Sequence, residues 1–349
     1  MKTLRLTVDP ERLEAQGAID AIDHAARILR EGGLVAMPTE TVYGLGANAL
    51  DRAAVERIFE AKQRPSWDPV IVHIASTGML NRIVAEAPTA ARRLMQAFWP
   101  GPLTLLLPRT AEIPDAVTAG RPLVGVRMPA HPVALELMRR TALPIAAPSA
   151  NLFAHISPTT AEHVLQDLDG RIDAVLDAGP TPHGVESTVL DPSTSPITIY
   201  RPGAVTAEQI RQVVGPVKIF KASDTLHDAA QESLPSPGVG LRHYAPQARL
   251  VLIAASLEQL GARLADAARR SPGERVGVML PDGIAAPRGV EPARVFIWGR
   301  WDVPAELAQR LYAGLRALDS AGSTVILCPL PPAHGLGTAI RDRLQKAAR

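Results

Sequence analysis

The sequence predicts an α/β protein of two units, a larger mixed sheet followed by a smaller doubly wound one. Three observations predict it. Short apolar runs of strand length recur at 34–37, 70–74, 103–107, 124–128, 145–147, 174–176, 188–190 and 197–200. Segments with helical spacing separate some of these runs but not all, so the first sheet is mixed and not purely parallel. Residues 221–248 then break the pattern. They carry no apolar periodicity and are punctuated by Pro235, Pro237, Gly238, Gly240 and Pro246, which marks a linker.

The elements follow in order. Ile19, Ile22, Ala26 and Leu29 form one helical stripe, stopped by Gly32-Gly33. Asp51 precedes Ala54, Val55, Ile58 and Phe59 and reads as an N-cap. Thr159 or Thr160 can cap the helix that carries Val164 and Leu165. Beyond the linker, strands at 250–253, 276–280, 294–298 and 324–327 alternate with helices over 257–269, 304–319 and the C-terminal stretch. That alternation predicts a small parallel sheet.

The chain has 349 residues, of which 46% are hydrophobic, so both units can bury a core. Net charge is +2, divided as −3 over residues 1–248 and +5 over 249–349. The mildly basic tail reads as a solvated surface. Low net charge and 4% aromatics argue against a nucleic-acid-binding module, which needs cationic grooves and stacking platforms. The single cysteine, Cys328, cannot form an intramolecular disulfide and reads as a buried strand end. Neither an apolar leader nor a run of about 18 apolar residues occurs, so the expected compartment is the cytoplasm.

No P-loop, HExxH, paired CxxC or GxSxG motif is present. Gly44-Leu45-Gly46-Ala47-Asn48-Ala49 fits the dinucleotide fingerprint GxGxxA, but a polar loop separates it from the preceding strand, so a tight backbone turn is the expectation. Four clusters carry chemistry. PTETVYGLG (38–46) crowds hydroxyls, a carboxylate and glycines behind a strand. Lys62-Gln63-Arg64-Pro65 places two cations at a helix end, where they either complement the helix dipole or clamp phosphate. PSAN (148–151) and SPTT (157–160) lie between a strand and a helix start and suit an anion or simple capping. GVEST (184–188) is followed by YRPGA (200–204). Together they describe a cleft with phosphate donors and no nucleophile.

These motifs, with FWPGPLT (98–104), stand in an order and at intervals that resemble the YrdC-like threonylcarbamoyl-AMP synthases. SPGVGLRHYAP (236–246) and LGTAIRDRLQKAA (336–348) resemble the two-domain members. The resemblance implies a YrdC-like catalytic domain over 1–220, a linker that is also an active-site lid over 221–248, and a Rossmann-like domain over 249–349. It implies a nucleotidyltransferase that joins threonine, bicarbonate and ATP into L-threonylcarbamoyladenylate, for modification of the tRNA adenosine beside the anticodon. Mg²⁺ would arrive with ATP, with no metal site of the protein's own. Downstream threonylcarbamoyl-transferase proteins are implied partners, and direct contact with tRNA is left open.

Carried over by motif, Lys62 and Arg64 are the catalytic cations. Thr41, His73, Arg127, Ala147 and Ser187 contact threonine, with Arg127 on its carboxylate. Lys62, Arg64, Asp68, Leu123, Ser149, Asn151, Ser157, Arg201 and, from the linker, Tyr244 line the nucleotide side. Three departures stand out. Phe153-Ala154-His155 replaces a common Ser-Gly pair, Ala178 replaces a glycine, and Leu123 replaces a hydroxyl residue, which leaves only a backbone contact there.

Overall fold

A computed structural model describes residues 2–220 and 244–349. The described residues divide into two compact units. The first comprises 2–153, 158–182 and 186–220; the second comprises 154–157, 183–185 and 244–349. Two short pieces that precede residue 220 therefore pack with the second unit. Most of the expected lid, 221–243, lies outside the described residues.

The first unit is one sheet of eleven strands. They are β1 (Leu4–Thr7), β2 (Val35–Met37), β3 (Gly44–Asn48), β4 (Ile71–His73), β5 (Leu103–Pro108), β6 (Leu123–Arg127), β7 (Ile145–Ala146), β8 (Ala174–Asp177), β9 (Thr188–Asp191), β10 (Ile197–Arg201) and β11 (Val217–Ile219). Their spatial order is β1-β8-β2-β3-β7-β4-β6-β5-β9-β10-β11. Parallel and antiparallel pairs are mixed in it, as the missing crossover helices predicted.

Strand side chains alternate between two apolar layers, so both faces of the sheet must be covered. Ala36 and Val175 join one cluster, with Val72, Leu105 and Val126. Val35, Met37, Ala174 and Leu176 join the other, beneath Ile22, Ala26 and Leu29 of helix α1 (Gln16–Arg30).

Helix α2 (Arg52–Lys62) bears on the site. Asp51 caps it, its carboxylate accepting from Ala53 N at 2.9 Å and Ala54 N at 3.4 Å. It ends at Gln63, whose φ of 52° turns the chain away. The later helix Ala161–Leu168 is capped by Thr160, which accepts from His163 N at 3.3 Å.

The expected turn at Gly44–Gly46 is instead strand β3, buried between β2 and β7. Its glycines serve close approach and not a positive φ. A Cβ on Gly46 would lie 2.9 Å from Ile145 Cγ2 and 3.1 Å from the Val35 carbonyl oxygen.

The second unit carries four parallel strands, β12 (Arg249–Ile253), β13 (Val276–Pro281), β14 (Val295–Gly299) and β15 (Val325–Pro329), in the order β12-β15-β13-β14. Helices Leu257–Arg269, Pro304–Ser320 and Leu336–Ala347 pack on it. Cys328 is buried in β15, and burial raises its thiol pKa. Among the described residues no helix is long and apolar enough to cross a membrane.

Asp51→Ala removes the carboxylate that accepts from two backbone N–H groups at the start of α2. We expect it to cost about 1 kcal/mol, lowering the melting temperature by roughly 2–4 °C for a domain of this size. An unchanged melting temperature in calorimetry would show that the cap contributes nothing.

Candidate active site

The chain leaves β2 into a turn built by Thr39. Its Oγ1 donates to the Val42 carbonyl at 2.6 Å and accepts from the N–H groups of Thr41 (3.2 Å) and Val42 (3.3 Å). A threonine suits this place because its hydroxyl closes a short backbone loop on itself. The turn presents Glu40 and Thr41 to Arg127, the last residue of β6.

The Arg127 guanidinium is 3% exposed and distributes its donors three ways. Nη2 lies 2.6 Å from Glu40 Oε1, Nη1 donates to Thr41 Oγ1 at 3.0 Å, and Nε donates to the Gly101 carbonyl at 3.2 Å. His73 stands directly beside Arg127, because β4 and β6 are parallel neighbours with these residues in register. Ala147 joins through its backbone, donating to the Ile71 carbonyl at 2.8 Å.

Burial acts to raise the Glu40 carboxyl. The charge of Arg127, paired with it at 2.6 Å, outweighs burial and holds the group below the usual range. Burial, then the charge of Arg127, pushes His73 down to about 3, with Glu40 opposing. Burial also lowers His131. At neutral pH the group therefore holds one cation, one anion and neutral imidazoles.

A second group forms where α2 ends. Lys62 is fully buried, and its ammonium donates to the Ser149 carbonyl at 2.5 Å and to the Asn151 carbonyl. The Phe153 N–H returns a bond to the Lys62 carbonyl at 2.9 Å. Burial pushes the Lys62 pKa well below its ordinary value, and the charge of Arg64 adds to this, with Asp167 and Asp68 opposing.

Arg64 is buried with Asp68 in an ion pair of 2.9 Å and donates to the carbonyls of Asp68 (3.2 Å) and Pro69 (2.8 Å). One Lys62 N–H and Arg64 Nη1 keep no partner among the described residues. Lys62 stands in the last turn of α2, where the helix dipole favours a cation, and both cations also bind loop carbonyls. The two groups adjoin: Leu45 N donates to Pro148 O at 2.7 Å and Ala150 N to Tyr43 O at 2.8 Å.

A third group is Ser187, Thr104 and Arg201. Arg201 donates from Nε and Nη2 to the Ser187 carbonyl, at 3.1 and 2.9 Å, and from Nη2 to Ser187 Oγ at 3.1 Å. Thr104 Oγ1 lies 2.8 Å from the same hydroxyl. Gly203 must be glycine here, since a Cβ would fall within the backbone of residues 186–188.

The expected set is thus brought together in large part, with exceptions. Leu123 opens β6, at the opposite end from Arg127, in a small apolar cluster with Ile71, Leu106 and Val189. Ser157 and Tyr244 belong to the second unit. There Tyr244, at φ 66°, stacks on Tyr312 at 5.8 Å with the Arg343 guanidinium 5.3 Å from its ring centre. Glu40 is the residue that sequence reasoning passed over. It stood inside a quoted motif, but only its distant partner reveals it.

Known proteins resemble the chain along its length. A family model described as "Telomere recombination" (Sua5_yciO_yrdC) matches residues 27–203. A second, described as "Threonylcarbamoyl-AMP synthase, C-terminal domain", matches 205–349. A threonylcarbamoyl-AMP synthase of Bacillus subtilis is 45% identical over 100% of this chain and 98% of its own. One of Pyrococcus abyssi is 42% identical over 93% of each. The crystal structure of P. abyssi Sua5 complexed with L-threonine superposes with a TM-score of 0.88 at 41% identity, covering 99% of this chain and 98% of that one. The chain belongs to the threonylcarbamoyl-AMP synthase family and carries both of its domains.

Proposed function

We infer that the chain makes L-threonylcarbamoyladenylate from L-threonine, bicarbonate and ATP, releasing pyrophosphate, for threonylcarbamoylation of the adenosine beside the tRNA anticodon. The observation that carries this reading is the pairing of two differently compensated cation groups. Arg127 is balanced by a carboxylate, whereas Lys62 is held by carbonyl dipoles. The first suits an amino acid and the second a polyphosphate.

The threonine amine takes up the carbon of bicarbonate with loss of water. An oxygen of the resulting carbamate attacks the α-phosphorus of ATP, and pyrophosphate leaves. Positioning and neutralisation of phosphate charge supply the catalysis, so no protein nucleophile is required. In this reading Lys62 and Arg64 direct their remaining N–H groups at the phosphates. Asp68, Ser149, Asn151 and Arg201 complete the nucleotide side, whereas Leu123, Ser157 and Tyr244 are assigned there by motif alone. Arg127 receives the threonine carboxylate, and Thr41, neutral His73, Ala147 and Ser187 surround the rest.

Mg²⁺ enters as part of the substrate. Glu40 and Asp68 are both tied to arginines, so phosphate oxygens and water would be its ligands. We propose the cytoplasm as the compartment, where ATP and tRNA are found, and a threonylcarbamoyl-transferase as recipient of the hydrolysable anhydride. Pyrophosphate release that requires both threonine and bicarbonate tests the reaction. Release without either would end it.

Three expectations follow for single residues. Arg64→Ala should lower pyrophosphate release at least about tenfold, because charge-assisted contacts to phosphate contribute on the order of 1.5–3 kcal/mol. It also strands Asp68, a loss on the order of 3–5 kcal/mol for a buried pair. Arg64→Ala/Asp68→Asn should recover stability but not activity; recovered activity would remove Arg64 from the phosphate side.

Arg127→Lys keeps charge and loses the planar fork. It should raise the threonine KM and leave that for ATP nearly unchanged. The reverse pattern would put Arg127 on the nucleotide.

His73 is neutral in the fold, with a pKa of about 3, whereas an unfolded histidine titrates near 6.5. Between those values the unfolded chain binds the extra proton, so stability is lost as pH falls through the window, by about 1.4 kcal/mol per pH unit for a full proton. Urea midpoints at pH 7.5 and pH 5 should fall less in His73→Gln than in the wild type. Equal falls would show that His73 does not carry the effect.

A further inference from the structure

Both small substrates of the proposed reaction present the same face to a guanidinium. Bicarbonate and the threonine carboxylate are planar, singly charged and able to accept two parallel N–H bonds. A lone buried guanidinium would be a strong anion site and would not separate them by charge. Arg127 is not alone. Glu40 Oε1 lies 2.6 Å from its Nη2, and both side chains are almost wholly buried. His73 and His131, the other titratable groups coupled to this pair, are neutral, so its charges sum to zero before a substrate arrives.

We propose that Glu40 is a specificity-determining residue: by cancelling the charge of Arg127 it keeps bicarbonate and other simple anions off the guanidinium and reserves that group for an amino-acid zwitterion. The inference rests on the reading that Arg127 receives the threonine carboxylate.

A simple anion entering beside the neutral pair leaves an uncompensated negative charge in a desolvated place, which is unfavourable. A zwitterion brings its own ammonium and leaves the sum at zero. The donor arrangement works in the same direction. Nε is occupied by Gly101 O, Nη2 faces Glu40, and Nη1 already donates once to Thr41. An arriving carboxylate meets one edge of the fork and not its full face. Affinity must then come from the groups that bicarbonate lacks, the ammonium and the hydroxyl-bearing side chain.

The turn explains how Glu40 is kept in place. Thr39 closes the loop around it through Val42 and Thr41, and the Arg127 guanidinium holds the carboxylate in an ion pair of 2.6 Å. Glu40 acts through Arg127 and takes no part in bond making.

The test is anion inhibition of pyrophosphate release, with acetate as probe and sodium chloride as the ionic-strength control. In Glu40→Gln, acetate should inhibit competitively with threonine and at least about tenfold more strongly than in the wild type, the scale of one charge-assisted contact. High bicarbonate should become inhibitory in the same way. Glu40→Asp, which keeps the charge, should resist acetate as the wild type does. Equal acetate inhibition of wild type and Glu40→Gln, or inhibition that threonine does not relieve, would overturn the proposal.

A generally weakened fold lowers kcat but creates no competitive anion site. Should Glu40→Gln not fold, the wild type decides. Threonine should raise its melting temperature equally with and without excess acetate, and loss of that shift would refute the role. Failure of the underlying reading looks different: Arg127→Lys would leave the threonine KM untouched.

Discussion

The Arg127 guanidinium must stay charged with almost no water around it, and much of the site is arranged to make that tolerable. Removing an ion of this size from water costs several kcal/mol even after relaxation, so its partners must be close and well aimed. They come from two parts of the chain, the turn after β2 and the segment before β5, and meet at the end of strand β6. The ion pair therefore fixes tertiary structure as well as charge. Loss of the Thr39 turn would release Glu40 and Thr41 together, and with them two of the three constraints on the guanidinium.

Lys62 solves the same problem by other means. Its ammonium is held by the carbonyls of Ser149 and Asn151, which are dipoles and not charges. Dipoles satisfy donors but do not neutralise, and this is why burial and the neighbouring charge of Arg64 drive its pKa down. A phosphate arriving there would supply the missing negative charge and raise the pKa again. A cation balanced by a full charge thus adjoins one held only by backbone dipoles. The hydrogen bonds joining Tyr43 and Leu45 to Pro148 and Ala150 hold the two at fixed separation.

Much of this was legible in the sequence, for identifiable reasons. Strands such as β4, β5 and β6 are buried on both faces and read as plain apolar runs. The caps at Asp51 and Thr160 are local chemistry and could be read locally. Strand β1 was not seen because it lies at the sheet edge, where Leu4 and Arg5 are exposed and no alternation survives.

Strand β3 was mistaken for a turn because the reason for its glycines lies in β2 and β7, not in its own residues. Glu40 had the same disadvantage, since its meaning depends on an arginine at the end of β6. Ser157 was grouped with the nucleotide side by motif, yet the piece 154–157 packs with the second unit. There Ala154 adopts φ 68°, a conformation that costs an alanine roughly 1–2 kcal/mol and a glycine little, so the departure from the common Ser-Gly pair carries local strain.

The three arginines of the site share a habit that explains why they are arginines. Arg64 binds the carbonyls of Asp68 and Pro69, Arg127 that of Gly101, and Arg201 that of Ser187. Each therefore ties down a stretch of backbone with part of its fork. A planar group with five donors can do this and still offer an edge to a ligand, whereas an ammonium has three donors and no fixed plane. Holding the cation before the ligand arrives removes its rotamer entropy from the cost of binding and aligns it for transfer. Lys62 reaches a similar end only because α2 delivers it fully buried, with its N–H groups confined by two carbonyls of one short loop. Rigidity here comes from the backbone the cations grip, so the reacting groups can be positioned without a covalent intermediate to hold them.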